Sequence, residues 1–165
     1  MSLDIAVQRE ASADALAQAL ADTYALYQRT HLFHWNVQGP RFGTLHLLFE
    51  TQYNELWLAL DLIAERIRAL NVPVPSHAAL AARATLSGDN DANPDENGML
   101  ASLLKGNEAV VKSCRAALRV AEEAGDDAGA DLMTQRVAAV EKAAWMLRAH
   151  LAAWAQTPSP LGWWR

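Results

Sequence analysis

The sequence has a single cysteine and no long uncharged apolar stretch. One thiol, Cys114, in 165 residues cannot form an internal disulfide, and proteins built for oxidising compartments usually carry an even set of cysteines. No apolar run approaches the roughly 18 residues that a membrane-spanning helix needs, and the first residues show no basic segment followed by an apolar one. We therefore expect a cytoplasmic protein without a membrane span, in which Cys114 is a small buried side chain.

Positive charge is also scarce. Fourteen basic residues against nineteen acidic ones give a formal net charge of −5, and the basic residues are scattered rather than grouped in a run. Such a surface repels phosphate backbones on average. Such a surface favours binding of small cations over binding of anions.

Prolines are few, and three long stretches rich in alanine and leucine contain none, which favours helix. No alternating pattern predicts a strand. The length and an apolar content of 52% suit a single domain spanning 1–165, with a helical core over about 4–155 and a short tail over 156–165. Helices are predicted over these stretches: 4–38, 41–70, 76–84, 94–123 and 127–155.

The helix boundaries carry recognisable capping signals. Ser76 can cap the short helix, and Asn93 is predicted to cap the next one, with Pro94 at its first position and Glu96 completing a capping box. The connections after the first and third long helices are short, whereas about 24 residues separate the second from the third, enough to cross a bundle lengthwise. The sequence therefore predicts an all-α, ferritin-like four-helix bundle with a short extra helix in its long crossover.

The second long helix carries metal-binding side chains on one narrow face. At about 100° per residue, four of them fall within roughly 100° of one another: His46, Glu50, Asp61 and Glu65. The apolar residues that should pack in the chain's own core lie at roughly 200–320° from His46: Leu45, Leu48, Phe49, Leu56, Ala59, Leu60, Ile63, Ile67 and Leu70. The metal-binding face thus points away from that core.

One helix cannot close this face around one ion, because Glu50 and Asp61 are roughly 16 Å apart along the axis. A second copy could pack antiparallel across a two-fold axis near residues 55–56. His46 and Glu50 of one chain would then face Asp61 and Glu65 of the other. Trp57 on the same face suits such an interface. The alternative is an ordinary solvated face whose acids pair with Arg66 and Arg68.

Imidazole and carboxylate ligands together suit iron, zinc or manganese. His34, just before a Gly-Pro turn, can add a second imidazole, and His31 can do so less directly. Otherwise we expect His31, like His77 and His150, to be an ordinary histidine that is hydrogen-bonded in the core or on the surface and binds no metal. No glutamate is followed three residues later by histidine, so a di-iron site inside the bundle is disfavoured.

Together these residues resemble the signature of the Dps family of mini-ferritins. The resemblance covers nearly the whole chain and rests on His34-Trp35-Asn36-Val37-Gln38-Gly39-Pro40, Phe42, Leu45-His46 and Asp61-Leu62-Ile63-Ala64-Glu65-Arg66. It implies a hollow dodecamer with a ferroxidase centre at each two-fold interface. Its ligands are expected to be His34, His46 and Glu50 from one subunit with Asp61 and Glu65 from its neighbour. Glu50 stands where many members carry aspartate, and its longer side chain could shift the second metal.

The same resemblance implies that Fe(II) is oxidised, preferentially by hydrogen peroxide, and stored as ferric mineral, which protects DNA from oxidative damage. Trp35 matches a tryptophan beside the site, where an indole could exchange an electron or simply pack. Iron is expected to enter through acidic pores at the three-fold axes, lined here by Asp126, Asp127 and Asp131. Alternatively, the first two of these aspartates cap the last helix.

Direct DNA binding is disfavoured, although the family is named for it. Near the start of the chain the only basic residue is Arg9, and the tail offers only Arg165. A DNA-compacting, nucleoid-associated protein with a vestigial iron site is the main alternative, and a bundle used only for protein interaction is a weaker one. The final Trp163-Trp164-Arg165 suggests a tail that docks on a neighbouring subunit.

Overall fold

The computed structural model describes residues 2–86 and 94–155, and within them helices are the only regular secondary structure. The helices are α1 (Ser2–Asn36), α2 (Phe42–Ala69), α3 (His77–Arg83), α4 (Glu96–Glu123) and α5 (Asp127–Ala155). The all-α class is confirmed, as is the short helix in the crossover. The expected cap at Asn93 and the tail over 156–165 lie outside the described residues. No helix in the described part is long and apolar enough to cross a membrane.

The four long helices enclose one hydrophobic core. Helix α1 packs against α2 and α4, α4 packs against α5, and α3 lies on α1. All nine apolar residues predicted for the inner stripe of α2 are buried, Leu45, Phe49 and Ile63 completely. Each leucine, isoleucine or phenylalanine among them contributes about 1.5–3 kcal/mol through its removal from water. This stripe fixes the rotation of α2, so the opposite face with its acids points outward.

The α1–α2 turn is tied to the start of α4. Both carboxylate oxygens of Glu96 accept hydrogen bonds from Arg41, one from the backbone N–H at 2.8 Å and one from Nε at 2.9 Å. Gly39 in the turn has φ 117°, and a Cβ there would lie 2.9 Å from the Glu96 carboxyl group. Glycine is therefore required both by the backbone conformation and by the close approach of α4.

The start of α4 differs from the prediction. The helix begins at Glu96, and the cap is Asp95, whose Oδ1 accepts from the N–H of Gly98 at 2.7 Å. The expected start at Pro94 was wrong because Glu96 reaches across to Arg41 instead of turning back to form a capping box. The Ser76 cap of α3 is confirmed, since its hydroxyl accepts from the N–H of Ala79.

Asp126 closes the α4–α5 turn and joins three helices. Its carboxylate accepts from the Ser12 hydroxyl at 2.6 Å, from the N–H of Gly129 at 2.8 Å and from the Arg66 guanidinium. Burial opposes ionisation of this carboxyl group, but the three hydrogen bonds outweigh burial and hold its pKa below the ordinary value. Asp126 is therefore an ionised structural anchor at the positive end of α5.

A second ion pair joins α2 to α5, helices that otherwise touch little. Arg136 on α5 donates both terminal nitrogens to the Glu55 carboxylate on α2. The Arg136 side chain is only 7% exposed, whereas that of Glu55 is 45% exposed.

On α4, Cys114 is fully buried as expected, and burial raises the pKa of its thiol to about 11.

Candidate metal centre

Two histidines meet where α1 ends and α2 begins. Nδ1 of His34 donates to the backbone carbonyl of His46 at 2.9 Å, and Nδ1 of His46 donates to the carbonyl of His34 at 2.9 Å. Their rings stack with centroids 3.8 Å apart. A carbonyl oxygen can only accept, so both Nδ1 atoms must carry the proton. In each neutral ring this leaves the Nε2 lone pair as the metal ligand, oriented by the bond on the other side of the ring.

The tight turn between α1 and α2 produces this arrangement. The N–H of Val37 bonds back to the carbonyl of Phe33, and the N–H of Phe42 bonds to that of Gly39. The chain therefore reverses within a few residues. His34 is buried and His46 is partly exposed, so the pair lies where the packed interior of the bundle meets its surface.

The three predicted acidic ligands continue along α2. Glu50 lies one turn beyond His46 and is partly buried, whereas Asp61 and Glu65 are exposed toward the other end of the helix. At 1.5 Å per residue, Glu50 and Asp61 are roughly 16 Å apart. Among the described residues of one chain, no three histidine, cysteine or acidic side chains are grouped to hold a metal ion.

The expected arginine partners of these acids are engaged elsewhere. Arg66 pairs with Asp126, and Arg68 donates to the backbone carbonyl of Val72 at 2.8 Å. Over residues 2–86 and 94–155, no hydrogen bond or ion pair occupies the carboxylates of the three predicted acidic ligands. The alternative of a solvated face neutralised by Arg66 and Arg68 is therefore not what the structure shows.

Large apolar side chains surround this polar face and remain exposed in the single chain. They are Trp35, Phe42, Leu47, Trp57, Leu58 and Leu62. Several large apolar side chains exposed around one face usually mark an interaction surface. Aromatic side chains are enriched in the cores of protein interfaces, so this face is a candidate interaction surface.

An aromatic group beside the histidines was not anticipated from the sequence. Tyr53 stacks on His31 with ring centroids 4.2 Å apart and meets the edge of His34 at 5.1 Å. His31 also contacts Trp35 at 4.1 Å. Burial, and then the neighbouring charge of His34, lower the pKa of His31. Tyr53 follows His46 by seven residues and so lies on the same helix face, which the helical wheel could have revealed.

The residues expected at an iron-entry pore are placed differently from one another. Asp127 and Asp131 are exposed, and Asp131 accepts from its neighbour Gln135 at 2.7 Å. Asp126 is buried, with its carboxylate held by the three donors described above. Asp126 therefore caps the helix, as in the alternative prediction. A role in iron entry remains a prediction, and of the three aspartates only Asp127 and Asp131 have exposed carboxylates that suit it.

Comparison with known proteins places the chain in a family. The family described as a ferritin-like domain matches residues 13–157. A low temperature-induced protein from Nostoc is 36% identical over 146 residues, covering 87% of this chain and 82% of that protein. The DNA protection during starvation protein of Brevibacillus brevis is 37% identical over 138 residues, covering 82% and 91%. The Dps crystal structure from Vibrio cholerae, described as ferritin-like and diiron-carboxylate, superposes with a TM-score of 0.83 at 33% identity, covering 88% and 92%. The chain belongs to the Dps family of ferritin-like proteins.

Proposed function

We propose that this protein binds Fe(II) at a site shared by two copies of the chain, oxidises it and stores the ferric product inside a hollow dodecamer. The observation that carries the proposal is a set of metal-binding side chains divided between the two ends of α2, with His34 added from the end of α1. The imidazoles of His34 and His46, both with Nε2 available, lie with Glu50 at one end. Two carboxylates with no partner in the described part of the chain, those of Asp61 and Glu65, lie at the other end.

A two-fold axis near residues 55–56 makes these halves complementary. Antiparallel packing of two α2 helices sets position 46 opposite position 65, and position 50 opposite position 61. His34, His46 and Glu50 would then face Asp61 and Glu65 of the partner subunit, and each dimer would hold two identical centres. The exposed apolar side chains around the face supply the contact that brings the halves together.

The donor set suits iron as a substrate. Imidazole nitrogens bind Fe(II), and carboxylates hold the product Fe(III), a harder cation. Two ferrous ions can each give one electron to hydrogen peroxide, whose O–O bond breaks to form two waters with two protons, so no hydroxyl radical is released. Zinc and manganese fit the same donors and would compete for the site. Glu50, longer than aspartate, is expected to shift the position of the second ion.

The net charge of −5 favours the approach of cations. We propose entry past Asp127 and Asp131, the two exposed aspartates at the start of α5. Removal of ferrous iron and peroxide would protect DNA in the cytoplasm without direct contact. The acidic net charge argues against tight binding to phosphate backbones. Arg9, the basic residue near the start of the chain, lies within α1.

The direct test is anaerobic addition of Fe(II) followed by peroxide, with the absorbance of ferric species recorded. Fast oxidation and soluble mineral in a large assembly are expected for the unmodified protein. Both should be lost in Asp61→Ala/Glu65→Ala. The matched control is Glu108→Ala/Glu122→Ala, which removes two exposed carboxylates from α4 and should leave the rate unchanged. Equal, slow oxidation in all three proteins, with rust precipitating, would overturn the proposal.

A further inference from the structure

A cavity of about 600 Å³ opens on the outward face, between α1, α2 and the segment leading into α3. Its wall is largely apolar and includes Leu20, Ala64, Val74 and Leu80, with Tyr24 contributing an aromatic face. Asp61, one of the proposed iron ligands, also lines it. A cavity of this size and character beside a metal ligand calls for an apolar occupant that keeps water away from the carboxylate.

A large apolar side chain lies unburied at the opposite end of the same face. Trp35 is 65% exposed, and its ring contacts that of His31. An indole is among the largest apolar groups that a protein can bury. The Trp35 indole lies beside the proposed site, and contact with a second protein surface would bury it.

The two-fold arrangement brings these features together. Trp35 directly follows His34, whose ring stacks on His46, so Trp35 lies level with the start of α2. Symmetry sets position 46 opposite position 65 of the second copy, next to position 64, and residue 64 lines the cavity. The exposed indole of one copy and the cavity of the other therefore lie at the same level of the interface.

We propose that Trp35 of each subunit inserts into this cavity of its partner, a step that rests on the proposed two-fold site. The inserted indole closes the cavity wall that contains Asp61 and excludes water from it. It also fixes the register of the two α2 helices, because a slip of one turn, about 5.4 Å, would withdraw the ring from the cavity. Trp35 is thus a positioning residue that acts through the interface.

Photo-crosslinking tests the contact directly. The full-length protein carrying p-benzoylphenylalanine in place of Trp35 is assembled from isotopically light and heavy copies and irradiated. Cross-links joining light to heavy chains are expected at peptides containing Leu20, Ala64 or Val74. The matched control carries the probe at Trp145 on α5, which is 61% exposed and should give no cross-link to these peptides. Cross-links from position 35 only to other surfaces would overturn the inference.

Substitution provides a second, independent measurement. Trp35 is exposed in the single chain, so its replacement should leave the fold intact. Trp35→Ala should raise the protein concentration for half-assembly by about a hundredfold or more, because two-fold symmetry removes two buried large side chains from each dimer. Trp35→Phe should recover most of this loss, and Trp145→Ala should cause none. Unchanged assembly of Trp35→Ala, with slower oxidation alone, would contradict insertion and indicate an electron-transfer role.

These outcomes separate the two proposals. An unmodified protein that neither pairs nor oxidises iron rapidly would refute the shared site and the insertion together. A protein that pairs and oxidises iron, but whose position 35 cross-links elsewhere, would refute only the insertion.

Discussion

His34 and His46 each donate a ring N–H to the other's backbone carbonyl, both at 2.9 Å. These bonds make the two residues a structural clasp between α1 and α2 as well as candidate iron ligands. The two roles use different nitrogens of each ring, Nδ1 for the clasp and Nε2 for the metal. They can therefore be separated by substitution.

His46→Asn separates them, because the asparagine amide can reach the His34 carbonyl in place of Nδ1 but offers no counterpart of Nε2. We expect near-normal stability and loss of fast iron oxidation. His46→Ala should lose the same activity and also about 1 kcal/mol of stability through the unpaired carbonyl. Urea unfolding and peroxide-driven oxidation measure the two effects. His150→Asn, on a partly buried histidine of α5, should change neither, and an active His46→Asn protein would remove His46 from the site.

Asp126→Ala should destabilise the fold by about 2–3 kcal/mol at neutral pH, because it removes a helix cap and leaves Ser12 and Arg66 without their acceptor. The low pKa of Asp126 in the folded protein gives this loss a defined pH dependence. The stabilisation is present above about pH 4, where an unfolded aspartate is ionised, and is lost as pH falls through the lower folded pKa.

Unfolding measured at fixed protein concentration at pH 7 and near pH 3 tests this dependence. The gap between the unmodified protein and Asp126→Ala should shrink at the lower pH. Asp131→Ala, which removes an exposed aspartate, should cost less than about 0.5 kcal/mol at either pH. A gap that is the same at both pH values would show that the charge of Asp126 contributes nothing.

Glu55→Gln should cost about 1–3 kcal/mol, because it leaves the charge of the buried Arg136 without its carboxylate. Arg136→Met alone should cost less, since Glu55 is half-exposed and can be solvated. The double variant Glu55→Gln/Arg136→Met should recover part of the loss of Glu55→Gln. Thermal unfolding of the three variants checks this order, and additive losses would exclude coupling between the two residues.

The rotation of α2 could be predicted from the sequence because it depends on one physical pattern. Its apolar residues recur at helical spacing, and burying them leaves only one direction for His46, Glu50 and Asp61. The same pattern, with a rise of 1.5 Å per residue, also shows that one chain cannot close the site. Burial and spacing are properties of the local sequence, so no knowledge of the partner helix in the bundle was needed.

Long-range pairing was not predictable in the same way. Glu96 fits a capping box in the sequence, yet it pairs with Arg41 on another helix, and the cap passes to Asp95. In the sequence Asp126 is typical of a solvent-facing acid. In the structure its carboxylate instead accepts a hydrogen bond from Ser12, which is 114 residues away in the chain. Such choices depend on which side chains tertiary packing brings together, and local propensity carries no information on that.

The shared site itself is tested most directly by mixing two inactive proteins. His34→Asn/His46→Asn lacks one half of the donor set, and Asp61→Ala/Glu65→Ala lacks the other. If the site lies between subunits, coexpression in equal amounts should form mixed dimers that each contain one intact centre, restoring about a quarter of the unmodified number of sites by random pairing. Fast peroxide-driven oxidation should return to about that fraction in the mixture. No recovery, in assemblies shown by mass spectrometry to contain both variants, would contradict a centre built from two chains.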